Sequence, residues 1–206
     1  MRCYAILMAA GLSNRFGSEN KLFVPFNGKP LFCNTLDLVC SMDCFKKIIM
    51  VYNDEKVAAL INSETRYKNH EIITVFNPAP EKGQGESARL GVIAVDVKLT
   101  GNEPVYYLFF PCDQPLLDTA TIQLLLNNAK PGFITEPGNI KPKSPNLFSS
   151  FFHDELLALK QGENPRLIKK RHPELVITVE VPNSIILSDI DTPEDLERLN
   201  EDSSCR

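Results

Sequence analysis

The sequence predicts an α/β fold in three layers, a mostly parallel central sheet with helices on both faces. Three observations carry that prediction. Apolar, β-branched runs at 5–8, 47–52, 71–76 and 105–110 alternate with segments of helical spacing, the rhythm of a parallel sheet built from right-handed crossovers. The run at 105–110 is apolar on both faces, which places it centrally in the sheet. With 206 residues the chain is long enough for one sizeable core, so a single domain over residues 1–206 is expected.

Composition narrows the partners. The 22 basic and 26 acidic residues leave a net charge of -4, so nothing favours nucleic acid or an anionic membrane. The charge of any anionic ligand must be met locally. Cysteines stand at 3, 33, 40, 44, 112 and 205 with no CxxC pair and no histidine cluster. Cys40 and Cys44 are spaced for one helix face rather than a zinc knuckle. The N-terminus runs directly into a strand, so the expectation is a reduced, cytoplasmic protein. No apolar run approaches the roughly 18 residues of a membrane span.

The first strand, Ala5 to Met8, breaks at once into Ala9-Ala10-Gly11-Leu12-Ser13-Asn14-Arg15-Phe16-Gly17, with Lys21 following. Small residues and glycine let backbone N–H groups approach a ligand without Cβ atoms in the way, which suits phosphate. A plain strand-to-helix connection is the competing reading. Arg15 and Lys21 favour the phosphate, because two cations bracketing a glycine turn have little packing value. The spacing is neither that of the dinucleotide fingerprint nor that of the Walker loop.

The run from Leu7 to Gly17 with Asn20-Lys21-Leu22 resembles the signature loop of the molybdenum cofactor cytidylyltransferase-like nucleotidyltransferases, a family related to molybdenum cofactor guanylyltransferase. The resemblance implies a Rossmann-like nucleotidyltransferase fold that binds a nucleoside triphosphate. By the same comparison Ala9, Ala10, Gly11 and Leu12 cradle the triphosphate. Arg15 then stabilises the departing pyrophosphate, and Lys21 the charge on the α-phosphoryl group.

Further along, Val24 to Pro30 is turn-rich and delivers the chain to a helix with Pro30 in its first turn and Leu31, Thr35, Leu38 and Val39 at helical spacing. The strand at 47–52 leads to a helix capped by Asn53 or Asp54, with Val57, Leu60 and Ile61 inward. After the strand at 71–76, residues 82–91 form a second glycine-rich loop that opens a helix through Val95. Alone, this reads as an ordinary capped helix. In the resembled family the same stretch lines the base and ribose. Gly83 and Ser87 match it, while Gly85 and Glu86 stand where serines are common.

Asp113 follows the strand at 105–110. A carboxylate there lies at the carboxyl edge of the sheet, where open α/β folds bind ligands. The competing reading is a helix cap, but Asp118 already supplies one, and the Asp113-Gln114-Pro115 run matches the family's. Residues 133–135 read as a strand, 136–139 as a hairpin turn and 140–148 as a return strand whose prolines suit an edge. A short helix follows around Leu156. The family's next loop is matched only at Gly162 and Arg166, in a region that shapes the second substrate's pocket.

Residues 175–181 and 185–187 are the last expected strands. Thr192, Pro193 and Asp195 then open a capped helix whose tail frays after Leu199. Asp189 and Asp191 stand together at the end of the last expected strand, and one of them is expected to face Asp113. Asp191 is the choice, because the Ile-Asp-Thr-Pro-Glu-Asp motif resembles the family's, and related enzymes use that position to complete a magnesium site. A structural cap is the competing view. His70, His153 and His172 read as solvated surface residues without partners.

The implied activity is transfer of CMP from CTP to the terminal phosphate of molybdopterin cofactor, with Mg2+ held by Asp113 and Asp191 and pyrophosphate released. Ala9-Ala10-Gly11 looks like the cytidine-using branch, whereas Pro111-Cys112-Asp113 looks closer to the guanine-using one, so GTP stays open. Other acceptors in keeping with this chemistry are sugar or polyol phosphates. A non-catalytic carrier delivering the cofactor to a molybdenum hydroxylase is the alternative of another class.

Overall fold

Alternation along the first strand sets the layering. β1 (Arg2–Ala9) sends Cys3, Ala5, Leu7 and Ala9 into one core and Tyr4 and Ile6 into the other, because successive strand side chains point to opposite faces. The computed structural model describes residues 1–12, 16, 20–96, 99, 103–138 and 144–204.

After β1 comes a two-stranded hairpin, β2 (Pro25–Phe26) and β3 (Lys29–Pro30), turning on Asn27 and Gly28 with φ of 51° and 75°. Asparagine and glycine are the residues that tolerate positive φ at both turn positions. α1 (Leu31–Cys40) therefore starts after Pro30, which sits at the N-cap rather than inside the first turn. β4 (Phe45–Tyr52) and α2 (Glu55–Ser63) follow, with Asp54 accepting from Lys56 N–H at 3.0 Å as the cap. Next are β5 (Ile72–Phe76), α3 (Gln84–Val95), β6 (Val105–Pro111) and α4 (Thr119–Asn127). The chain closes with β7 (Ile134–Pro137), β8 (Asn146–Ser149), α5 (His153–Leu157), α6 (Arg166–Arg171), β9 (Val176–Val179) and α7 (Pro193–Ser204).

The main sheet runs β5-β4-β1-β6-β8-β7-β9. The chain winds outward from β1 to β5 and then crosses back to place β6 on the other side of β1, pairing Met8 with Pro111 at the carboxyl ends. That reversal opens a crevice beyond the ends of β1 and β6. α1, α2 and α4 cover one face through Leu36, Val57 and Ile122, and α3, α5 and α6 the other through Val92, Leu156 and Ile168. Helix α3 lies close to the sheet at Gly91, where an added Cβ would stand 2.4 Å from Ile6 Cγ2. A third cluster of Phe26, Leu31, Ile190 and Leu199 ties α7 to the hairpin.

Several expectations need correction. β8 lies inside the sheet, antiparallel to both β6 and β7; its prolines fall before the paired residues and so leave the ladder intact. Of the expected turn, Glu136 and Pro137 belong to β7, while residues 139–143 lie outside the described residues. Residues 185–187 are part of a 3-10 turn, Ser184–Leu187, capped by Asn183, whose Oδ1 accepts from Ile185 N–H at 3.1 Å, with Ile186 and Leu187 filling the core. The backbone of α7 remains helical to Ser204. His153 is hydrogen-bonded to the Tyr107 hydroxyl at 2.8 Å and His172 to Glu155 at 2.8 Å, so neither is unpartnered. Among the described residues no helix is long and apolar enough to cross a membrane.

Candidate active site

Beyond the carboxyl ends of β1 and β6 lies a cavity of about 370 Å³. Ala10, Gly11, Leu12, Lys21, Gly83, Ser87, Asp113 and Asp191 all line it. Ala9 does not. It is the last residue of β1, fully buried, and points into the core, so its contribution is to hold the turn that follows. Arg15 lies outside the described residues.

The polar centre is Lys21. Its Nζ donates to Asp113 Oδ2 at 2.7 Å, to Asp191 Oδ1 at 2.9 Å and to the Ile190 carbonyl at 3.0 Å. All three ammonium protons are thereby used. The two carboxylate oxygens are no farther apart than the sum of the first two distances. Burial works against the charged lysine, but Asp113 and then Asp191, by charge and hydrogen bond, outweigh it and raise the Lys21 pKa.

Each member of this group is held by its own local device. Asn20 caps the 3-10 turn at Lys21–Phe23 by accepting from Leu22 N–H at 3.1 Å. Asp113 is tied to the segment before α7, its carbonyl accepting from Ile190 N–H at 2.9 Å. Ile190 is fully buried between Asp189 and Asp191, so those two side chains are directed away from its core pocket. Asp189 accepts from Gln114 Nε2 at 2.8 Å, leaving Asp191 as the one that meets Lys21. The Asp195 carboxylate accepts from Asp191 and Thr192 N–H at 3.2 and 3.1 Å, and Thr192 Oγ accepts in return from Asp195 N–H at 3.2 Å. This reciprocal capping box fixes the backbone that carries Asp191.

Asp113 Oδ1 is buried with no hydrogen-bond partner among the described residues. A buried carboxylate oxygen without a donor is costly unless a cation or ligand meets it. Among the described residues no group of three His, Cys, Asp or Glu could enclose a metal by itself. Asp113 and Asp191 nevertheless suit magnesium, which takes one or two carboxylates and fills its remaining positions with phosphate oxygens and water.

On the far wall, Gly83 adopts φ 90° at the N-cap of α3, and Ser87 Oγ accepts from the buried Asn77 Nδ2 at 3.0 Å. Gly85 has a packing reason: its N–H donates to the Glu163 carbonyl at 3.0 Å, and an added Cβ would stand 2.7 Å from that same oxygen. The two departures from the resembled pattern, at 85 and at 163–165, are therefore coupled by one contact. Sequence reasoning missed Met8, Leu22, Pro80 and Gln84 as lining residues. Apolar and amide side chains give no signal of their own at strand ends and helix starts.

A family model described as the MobA-like NTP transferase domain matches residues 5–175. The chain belongs to this family. Among curated relatives, this MobA-like chain is 28% identical over 130 residues to 2-C-methyl-D-erythritol 4-phosphate cytidylyltransferase of Endomicrobium trichonymphae, covering 63% of the chain and 54% of that protein. It is 26% identical over 124 residues to molybdenum cofactor guanylyltransferase of Shewanella putrefaciens, covering 60% and 55%. The chain thus spans about half the length of these relatives. A nucleotidyl transferase from Methanothermobacter thermautotroptrophicus superposes with a TM-score of 0.77 at 19% identity, over 98% of this chain and 97% of that one. At that identity the likeness shows the shared fold, the Rossmann-like α/β architecture expected from the sequence.

Proposed function

We propose that this MobA-like protein transfers a nucleotidyl group from a nucleoside triphosphate to a phosphate acceptor and releases pyrophosphate, acting as a single cytoplasmic domain. The observation that carries the reading is the meeting of Lys21, Asp113 and Asp191 in the crevice, beside the backbone turn of Ala10, Gly11 and Leu12. Backbone N–H groups of that turn bind the triphosphate, and Arg15 stabilises the pyrophosphate as it leaves. Lys21 moves from the carboxylates to the α-phosphoryl group, where negative charge builds. Gly83 and Ser87 position the nucleoside. Magnesium held by Asp113 and Asp191 would neutralise the triphosphate and fix its α-phosphorus.

An acceptor phosphate is already ionised, so the protein needs only to orient it. Cys112, the thiol in the cavity, is no nucleophile: burial and then the Asp113 charge push its pKa up and keep it protonated.

The first reading of the substrates is CTP with the terminal phosphate of molybdopterin cofactor, the product passing to a molybdenum hydroxylase. Ala9-Ala10-Gly11 and the cytidylyltransferase relative support cytidine. GTP is the second reading, supported by Pro111-Cys112-Asp113 and the guanylyltransferase relative. Pyrophosphate release is measured with CTP, GTP, ATP and UTP, each with and without molybdenum cofactor, and the product is weighed by mass spectrometry. Cofactor-dependent release from CTP is expected; release from GTP alone reverses the choice of base, and release without the cofactor rules out that acceptor.

A further inference from the structure

A second cavity of about 60 Å³ adjoins the first and shares Met8, Gln84 and Pro111 with it. Phe109 and Phe148 form its apolar side, and Ser144, Asn146, Arg166 and Lys169 its polar side.

The polar side is ordered by one residue. Lys169 is buried, with a side chain 11% exposed, and forms an ion pair with Glu136 at 3%. Its Nζ also donates to Asn146 Oδ1 at 2.6 Å. An ammonium only donates, so this bond decides which end of the Asn146 amide is oxygen. The amide nitrogen then turns to Ser144 and donates to its Oγ at 3.1 Å. A hydroxyl that accepts there keeps its own proton for another partner. Lys169 likewise has a third N–H beyond the two given to Glu136 and Asn146. Arg166 adds a guanidinium that has no ion-pair partner among the described residues; burial first, and the Arg166 charge after it, lower the Lys169 pKa, and the hydrogen bond and charge of Glu136 oppose them. Gln84 adds an amide that both donates and accepts, while Ser144 Oγ and Asn146 Oδ1 each accept one hydrogen bond from their neighbours.

We propose that Lys169 is a specificity-determining residue: through Asn146 and Ser144 it makes the polar wall of the second cavity a row of donors, which selects a phosphate monoester with a flat apolar body. Two cations set near one another against Phe109 and Phe148 favour an oxyanion on a ring over a neutral alcohol. The inference rests on the nucleotidyl-transfer reading, because it assigns the acceptor to the space beside the nucleotide.

The test uses the full chain saturated with α,β-methylene-CTP, which cannot transfer its nucleotide, and titrates phenyl phosphate or benzyl alcohol by calorimetry. Wild type is expected to bind phenyl phosphate and ignore the alcohol. Lys169→Met should weaken phenyl phosphate by tenfold or more with the methylene nucleotide bound as before, and Lys169→Arg should restore part of the loss. Ser144→Ala tests the far end of the relay without touching the buried ion pair and should weaken binding severalfold. Wild-type affinity in both Lys169→Met and Ser144→Ala overturns the proposal, as does failure of the nucleotide-loaded wild type to take phenyl phosphate. Where Lys169→Met does not fold, Ser144→Ala decides. Failure of the wild type to bind the methylene nucleotide itself is a separate result, and overturns the nucleotidyl-transfer reading together with this one.

Discussion

Lys21 Nζ lies 2.7 Å from Asp113 Oδ2, joining the turn after the first strand to the acid after the middle strand across 92 residues of chain. Asp191, from the segment before the last helix, meets the same ammonium. One cation thus occupies the space between two carboxylates that magnesium would share.

Replacing Lys21 separates its two roles. Lys21→Ala is expected to reduce kcat/KM by two orders of magnitude or more, about 3 kcal/mol, if the lysine stabilises transition-state charge. A carrier that only delivers cofactor would keep its binding and its effect on the recipient enzyme. Lys21→Met should also tighten Mn2+ binding without nucleotide, read by electron paramagnetic resonance, because the competing ammonium is gone. Asp113→Asn and Asp191→Asn should each weaken that binding.

The Lys21 cluster also sets a pH dependence. The folded-state pKa of Lys21 is raised above its unfolded value, so its contribution to stability is complete below about pH 10.4 and is lost as pH rises through the folded value. Denaturant titrations across the alkaline range should show this loss in wild type and a flatter profile in Lys21→Met.

The capping box behaves oppositely. Burial acts to raise the Asp195 pKa, but hydrogen bonds from Asp191 N–H, then from the hydroxyl and N–H of Thr192, outweigh it and hold the value below the ordinary aspartate range. That stability is present above about pH 3.9 and is lost as pH falls through the folded value. Asp195→Ala should cost about 1 kcal/mol by urea unfolding. It should also weaken Mn2+ binding, since the backbone of Asp191 loses its anchor.

Two glycines distinguish packing from binding. Gly91→Ala places a methyl against Ile6 at 2.4 Å, and overpacking of that kind costs about 1–3 kcal/mol; its melting temperature should fall with little change in substrate affinity. At Gly11 an added Cβ has no neighbour within 4 Å among the described residues. Gly11→Ala should melt like wild type and bind CTP more weakly, because the methyl enters space meant for phosphate.

Much of the sheet was legible because β1, β5 and β6 and most of β4 are apolar runs, which local pattern reports well. Caps at Asp54, Asp118 and Thr192 were legible for a similar reason, as a short polar side chain bonds its neighbours within a few residues. Interior position was not legible for β8. Its partners β6 and β7 are distant in sequence on at least one side, and prolines nearby mimic an edge. The 185–187 segment carries the same β-branched residues as a strand, yet it forms a 3-10 turn, with Asn183 capping it and the Leu187 carbonyl accepting from Gln114 of a distant loop. Partners of His153 and His172 come from other elements, and no local pattern announces them.

By itself the sequence determined the succession of strands and helices and the chemical types gathered at strand ends, since both follow from side-chain periodicity and short-range hydrogen bonding. Only the tertiary structure decided that Lys21 sits between Asp113 and Asp191, that Gly85 must lack a side chain beneath Glu163, and that Lys169 orders Asn146 and Ser144. Those relationships depend on distances between segments far apart along the chain, which are set by how the two faces of the sheet fill with side chains.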